Sequence, residues 1–278
     1  MKFTKMQGCG NDYVYINGFE EKIEAEKKAD LVRRLSERHF GIGSDGVIFI
    51  NPSKIADFEM EMYNADGSRS EMCGNGIRCV AKYVYDKKMT DRNEFTIESF
   101  GKIKDITIIE ENHVAKLIKV GMGSPNLRTE EIPAIYDEDM IISKPIIVDG
   151  MVYEGTCVSM GNPHVVVFVD DVDNLDLENI GPKFENHPMF PARVNAEFVK
   201  VIDENTVKMR VWERGTGETL ACGTGCCATA VASILNGKTN NKVLVKVLGG
   251  EIYVEWDREK NEVYMTGPGE FVFEGEIL

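Results

Sequence analysis

Long hydrophobic runs are missing from this chain. The longest, such as Val165–Val169, are far too short for a membrane-spanning helix. Basic charge is also scarce: 32 Lys and Arg stand against 46 Asp and Glu, a formal net charge of −14. Binding phosphates needs a basic face, so nucleic acid is excluded as a partner, and an anionic membrane surface with it. A small zwitterionic ligand fits this balance. There are only four histidines (His39, His113, His164 and His187), none paired at helical spacing, and no Cys-x-x-Cys. Cys73 and Cys79 lie six apart and Cys226 and Cys227 are adjacent, spacings that suit no usual metal site. A phosphate-cradling G-x-x-x-x-G-K-[ST] loop is absent, and no lysine has a recognisable Schiff-base setting. The expected chemistry therefore uses neither metal nor cofactor. Met1 to Lys5 run directly into strand-like sequence without an Arg-rich or hydrophobic leader, so the expected location is the cytoplasm.

What is present is a globular composition, 43% hydrophobic and 28% charged over 278 residues, enough for one large or two ordinary domains. Seven cysteines, an odd number, read as thiols in a reducing compartment. Two of them open near-identical stretches, Cys73-Gly74-Asn75-Gly76 and Cys222-Gly223-Thr224-Gly225, 149 residues apart (222 minus 73). The same shift superposes Tyr63-Asn64 on Trp212-Glu213, Gly46 on Asn195, and Gly101-Lys102-Ile103 on Gly250-Glu251-Ile252. Near the start the shift becomes 151 and places Gly10-Asn11 on Gly161-Asn162. The chain therefore reads as two copies of one domain.

Each copy repeats one pattern. Short strand-like runs come first: Tyr13–Ile16, Val47–Ile50 and Phe58–Tyr63, matched by Val165–Val169, Ala196–Val201 and Thr206–Trp212. A polar loop, the Cys-Gly turn and a helix follow. In the first helix Ile77, Val80, Ala81 and Val84 form an apolar stripe; in the second, Cys226 to Leu235 is apolar on almost every side, which predicts burial. Further strands are expected at Phe95–Glu98, Ile103–Ile109, Val243–Leu248 and Glu251–Glu255. A surface helix is expected at Lys28–Arg38, with Leu31, Val32 and Leu35 inward and Asp30 as its cap. The predicted fold is α+β: two pseudo-symmetric domains, each a curved, mostly antiparallel sheet or barrel around a central helix. Pro125, Pro133 and the irregular stretch 123–145 mark the crossover. The expected domains are 1–122 plus 268–278, and 123–267.

The glycine after each cysteine allows a sharp turn and a close ligand approach. First-turn amides and the helix dipole favour negative charge there, which lowers a thiol's pKa and can receive a carboxylate. Cysteine alone is more often a small buried hydrophobe. Two in repeat register, each opening a buried helix, instead suggest paired acid–base groups at one α-carbon. Cys79, Cys226 and Cys227 fall inside those helices and read as core; Cys9 and Cys157 have no case for reactivity. Asn11 and Asn162 sit in corresponding Gly-Asn turns, where asparagine also serves as a turn former. Asn64, Asn195 and Arg214 suggest a polar wall, with Arg214 suited to a carboxylate. Glu213 suits a substrate ammonium or the adjustment of a thiol, and His164 suits the latter.

Six segments carry a family resemblance. They are Gly10-Asn11-Asp12, Asn64 to Ser68, Met72 to Cys79, Gly161 to His164, Trp212 to Gly215 and Ala221 to Gly225. With these in order over essentially the whole chain, the sequence resembles diaminopimelate epimerase. The resemblance implies a pyridoxal-phosphate-independent isomerase interconverting LL- and meso-2,6-diaminopimelate, on the route to lysine and peptidoglycan precursors. It implies an active site in a cleft between the domains, with Cys73 and Cys222 exchanging thiolate and thiol roles. Gly74-Asn75 and Gly223-Thr224 would hold the reacting carboxylate. Asn11, Asn64, Asn162, Asn195, Glu213 and Arg214 would hold the rest of the substrate, and His164 and Glu213 would tune the thiols. A homodimer is implied, with Phe271 and Phe273 as contacts or core. One departure is Gly46, where some members carry Gln. The alternatives are a proline or hydroxyproline racemase or another isomerase of the same fold, and a non-catalytic amino-acid-binding module.

Overall fold

The computed structural model describes residues 1–70 and 72–277; Leu278, the end of the expected 268–278 segment, lies outside them. The chain forms two units, Met1–Gly121 with Thr266–Leu278, and Met122–Met265. In chain order the first holds β1 (Lys2–Gly8), β2 (Asn11–Asn17), α1 (Ala25–Ser36), β3 (Gly46–Asn51), β4 (Phe58–Asn64) and β5 (Arg69–Ser70). It continues with α2 (Gly74–Asp86), β6 (Glu94–Ser99), β7 (Lys102–Glu111) and β8 (Val114–Gly123), within which the chain leaves it. The second holds β9 (Lys144–Val148), β10 (Met151–Ser159), β11 (Pro163–Phe168), α3 (Leu177–Glu185), β12 (Asn195–Asp203) and β13 (Thr206–Glu213). Then follow β14 (Gly217–Thr219), α4 (Gly223–Leu235), β15 (Lys242–Val247), β16 (Gly250–Asp257) and β17 (Glu262–Gly267), and the chain returns to the first unit for β18 (Glu270–Glu276).

The two units repeat one strand order. In the first, β1–β2, β3–β4 and β6–β7 pair antiparallel while β2–β3 and β4–β6 pair parallel. In the second, β10–β11, β12–β13 and β15–β16 are antiparallel, and β11–β12 and β13–β15 parallel. Edge pairings β1–β18, β7–β8 and β9–β10 are antiparallel, so both sheets are mostly so. α2 packs on β1, β2, β7 and β18; α4 packs on β10, β11, β12, β13, β15 and β16. A helix touching strands from so much of its sheet lies inside the sheet's curve.

The central strands are buried on both faces, which explains their unbroken apolar runs. In β3, Val47 and Phe49 join Val32 and Leu35 of α1 in one cluster, while Ile48 lies against Gly76 of α2. In β12, Ala196 and Phe198 join Phe184 of α3, and Glu197 lies against Gly225 of α4. α2 is more deeply buried than its stripe suggests: Arg78 and Lys82 are buried too. Their charges are met by protein oxygens, Lys82 by Asp86 and Ala115 O.

α1 starts earlier than expected, with Glu24 at its N-cap and no side-chain capping bond. Asp30 is not a cap; it lies in the helix and pairs with Arg33. α3 escapes the sequence reading because Pro182 interrupts its helical signal. Stretch 123–145 is irregular as expected, holding a short 3-10 turn at Thr129–Glu131 and two isolated bridges. Among the described residues, no helix is long and apolar enough to cross a membrane.

Candidate active site

In the first unit, Cys73 is the N-cap of α2: its extended backbone turns the chain, and its Sγ accepts a hydrogen bond from Gly76 N at 3.2 Å. Strands β2, β3 and β4 bring their ends alongside, with Tyr13 opposite Gly46 and Gly46 opposite Asn64. Asn11, at the start of β2, accepts from the Cys73 thiol through Oδ1 at 3.0 Å. Its orientation is set from behind, because its Nδ2 donates to Asp45 Oδ2 at 2.7 Å. Arg38 bridges Asp45 and Asp12 at 2.9 Å each, and Lys5 pairs with Asp12. Burial opposes ionisation of Asp12, but hydrogen bonds from Arg38 and Lys5 outweigh it and hold the carboxyl below its ordinary range. The Tyr13 phenol bonds with Asn11 and Cys73; burial, then the nearby Cys73 and Asp45, pushes its ionisation far up, so it stays neutral.

No side chain fits at position 46. A Cβ on Gly46 would lie 2.0 Å from Tyr63 O and 2.9 Å from the Tyr13 ring. Asn64 is half-buried, and its Nδ2 donates to Ser68. Asn75 is only 2% exposed, with Oδ1 accepting from Arg78. Arg78, fully buried, also donates to Gly74 O at 3.1 Å and Pro268 O at 2.9 Å. It thus ties the first turn of α2 to the strand that begins at Glu270.

The second unit repeats the cap with different surroundings. Cys222 caps α4, its Sγ accepting from Gly225 N at 3.4 Å and lying 3.5 Å from Thr224 Oγ1. Asn162 Nδ2 donates to that hydroxyl at 3.2 Å, and Asn162 Oδ1 meets His164 Nε2 at 3.1 Å. His164 Nδ1 lies 2.7 Å from Glu197 Oε1, both residues fully buried. The lowering expected at a helix start is reversed for Cys222: burial first, then the charges of Glu213 and Glu197, pushes its thiol well above its ordinary value, while Thr224 and the Gly225 amide pull the other way. Cys222 is 7% exposed, whereas Cys73 is half-buried.

β12 and β13 bring Asn195 and Glu213 to the same sheet end as His164. Asn195 is buried; its Nδ2 donates to Pro163 O and its Oδ1 accepts from Arg214 N. Glu213 accepts from Thr219 Oγ1. Arg214 is exposed, with Nη1 on Ala192 O. Glu185 supports this turn, accepting from Gly215 N, Trp212 Nε1 and Arg193.

The sequence reading missed Tyr13, Asp45, Arg78, Glu185 and Glu197. Glu197 had a signal: it is the lone charge in the run Val194 to Val199. The remaining cysteines are buried. Cys79, Cys226 and Cys227 are fully buried in the helices, and burial pushes Cys79 up to about 11. Cys157 and Cys9 are likewise raised, chiefly by burial.

Each half thus offers a sulfur over first-turn helix amides, where an anion is welcome. The sequence model of the diaminopimelate epimerase family matches residues 3–128 and 156–272. A diaminopimelate epimerase of Acetivibrio thermocellus is 55% identical over 277 residues, covering 100% of this chain and 98% of that protein. One of Agathobacter rectalis is 56% identical over 285 residues, covering 100% and 99%. Among solved structures, a PhzF-family phenazine biosynthesis protein of Bacillus anthracis has TM-score 0.72 at 17% identity, covering 100% of this chain and 99% of that one. A hydroxyproline epimerase of Agrobacterium vitis has TM-score 0.69 at 14% identity, covering 100% and 90%. At those identities the likeness is one of fold.

Proposed function

The chain belongs to the diaminopimelate epimerase family, and from that premise we propose that it interconverts LL- and meso-2,6-diaminopimelate by a two-thiol, cofactor-free mechanism. Cys73 and Cys222 act on opposite faces of one α-carbon. One, as thiolate, takes the α-proton; the other, as thiol, delivers a proton to the other face, and the roles exchange with direction. The backbone amides of Gly74-Asn75 and Gly223-Thr224 receive the reacting carboxylate, where negative charge grows as the proton leaves. Asn11 and Asn162 orient the thiols and contact substrate. Asn64, Glu213 and Arg214 bind its distal amino-acid end, with Asn195 holding the Arg214 turn. His164 and Glu213 adjust the acidity of the thiols.

The observation that carries this reading is the matched pair of cysteine N-caps, each sulfur bonded to the amide of the third residue on. The test is epimerisation of LL-diaminopimelate in deuterium oxide without added cofactor. Cys73→Ala and Cys222→Ala should each lower epimerisation by about a thousandfold, within the usual range for a lost acid or base. Undiminished α-hydrogen exchange in both variants refutes the mechanism, and activity on proline alone refutes the substrate.

We further propose a cytoplasmic homodimer. Val272 and Phe273 of β18 are 55% and 47% exposed, an apolar pair suited to a subunit contact, whereas Phe271 packs on Tyr83. Sedimentation of a Phe273→Glu variant as monomer, with wild type as dimer, checks this; a monomeric wild type refutes it.

A further inference from the structure

The repeat makes the two halves comparable residue by residue, and under the catalytic helices they differ. The 149-residue shift sets Gly225 on Gly76 and Glu197 on Ile48; the 151-residue shift sets His164 on Tyr13. A Cβ on Gly76 would meet Ile48 Cδ1 at 2.7 Å, and one on Gly225 would meet Glu197 Oε1 at 2.7 Å. The same place beneath the helix start is thus filled by a hydrocarbon in one half and a carboxylate in the other. Glu197 is 0% exposed, on a strand where it is flanked by Ala196 and Phe198. Its Oε1 meets His164, and its Oε2 has no hydrogen-bond partner among the described residues. Burying a carboxylate is costly unless pairing offsets the lost solvation. Ile48 shows that packing does not require it.

We infer that Glu197 is a positioning residue for the reaction: it holds the His164 ring against Asn162 and sets a carboxylate beneath the start of α4, where Cys222 sits. The inference rests on Cys222 being one of the two acid–base groups. Cys222 faces Glu213 from β13, Glu197 from β12 and, through Asn162 and Thr224, His164 from β11. Glu197 also faces the buried Cys157 thiol of β10, which its charge helps keep protonated. In the first half the phenol of Tyr13 and the amide of Asn11 stand beside Cys73, with no carboxylate in the place of Ile48. With burial and Glu213, the Glu197 carboxylate keeps the proton on Cys222 in the empty enzyme.

Glu197→Gln preserves volume and removes the charge. Alkylation by iodoacetamide between pH 6 and 9, with Cys73 and Cys222 quantified separately by peptide mass spectrometry, reads the effect. Cys222 labelling at a fixed pH below its midpoint should rise about tenfold, the change that one unit in an ionisation constant produces. Cys73 labelling should stay as in wild type. Glu197→Asp keeps the charge and should leave Cys222 slow to label. Equal Cys222 profiles in wild type and Glu197→Gln overturn the inference, as does Glu197→Asp labelling as fast as Glu197→Gln. If Glu197→Gln does not fold, the double variant His164→Tyr, Glu197→Ile, which copies the first half, takes its place with the same two outcomes. Cys222→Ala separates this idea from the mechanism. If it abolishes α-hydrogen exchange while Cys222 labelling is indifferent to Glu197, only the role of Glu197 falls.

Discussion

Replacing Gly225 with alanine places a methyl carbon 2.7 Å from Glu197 Oε1, 3.1 Å from Cys222 Cβ and 3.3 Å from its Sγ. The carboxylate must move, and it is held by the 2.7 Å contact with His164. Giving up a hydrogen bond to a charged group costs about 1.5–3 kcal/mol. Alanine in place of glycine returns at most about 1 kcal/mol of helix propensity. The net expectation is a destabilisation of about 0.5–2 kcal/mol. Activity should fall further, by about a hundredfold, since His164, Asn162 and Thr224 form one chain ending at Cys222 and small displacements of reacting groups are costly. The symmetry-related change provides the control. A methyl on Gly76 also comes within 2.7 Å of a neighbour, but that neighbour is Ile48 Cδ1, the tip of a flexible side chain. Its rotation costs about 0.5–1.5 kcal/mol, which the helix gain roughly cancels. Urea unfolding and kcat/KM for LL-diaminopimelate, measured on both variants, decide the matter. Equal losses in the two, or a Gly225→Ala enzyme as stable and active as wild type, refute the reasoning.

Two further outcomes follow from the same geometry. Because burial and two carboxylates raise the Cys222 thiol, little of it is thiolate at neutral pH, and Cys73 is the more exposed sulfur, so iodoacetamide at pH 7 should label Cys73 first. Raising the pH increases the Cys222 thiolate fraction and should narrow the gap; preferential labelling of Cys222 at pH 7 contradicts this ordering. Arg78→Met should destabilise the protein by about 3 kcal/mol or more, because several buried acceptors lose a charged donor at once. A loss under about 1 kcal/mol in denaturant unfolding would show that the buried guanidinium is not the tie it is taken to be.

Much of the protein is legible locally. Glycine turns, the cysteines at helix starts and the apolar runs of β2, β3, β11 and β12 announce themselves within a few residues, and the repeat register aligns them. α2 and α4 occupy positions separated by the same 149 residues as the two cysteines. The α+β class and the family are read from these features. α3 was not, because Pro182 contradicts the local rule that would have found it. Asp30 misled for the opposite reason: a residue type that often caps helices lies inside one and pairs with Arg33.

What the sequence alone determined is the duplication, the two sulfurs at the heads of their helices and the family to which they belong. All depend on short-range chain geometry and on composition. What only the tertiary structure decided is how each sulfur is surrounded. Arg78 lies off the apolar stripe of its helix, and only the fold encloses it with Gly74, Asn75 and Pro268, the last 190 residues away. Asn11 reads as a turn former until Asp45, 34 residues on, fixes its orientation toward Cys73. Glu197 reads as one stray charge in a strand until β11 sets His164 against it. A buried charge persists only with partners that offset its desolvation, and those partners come from distant parts of the chain. The near-symmetry of the two thiols was thus written in the sequence, and their inequality arises only when the strands are brought together.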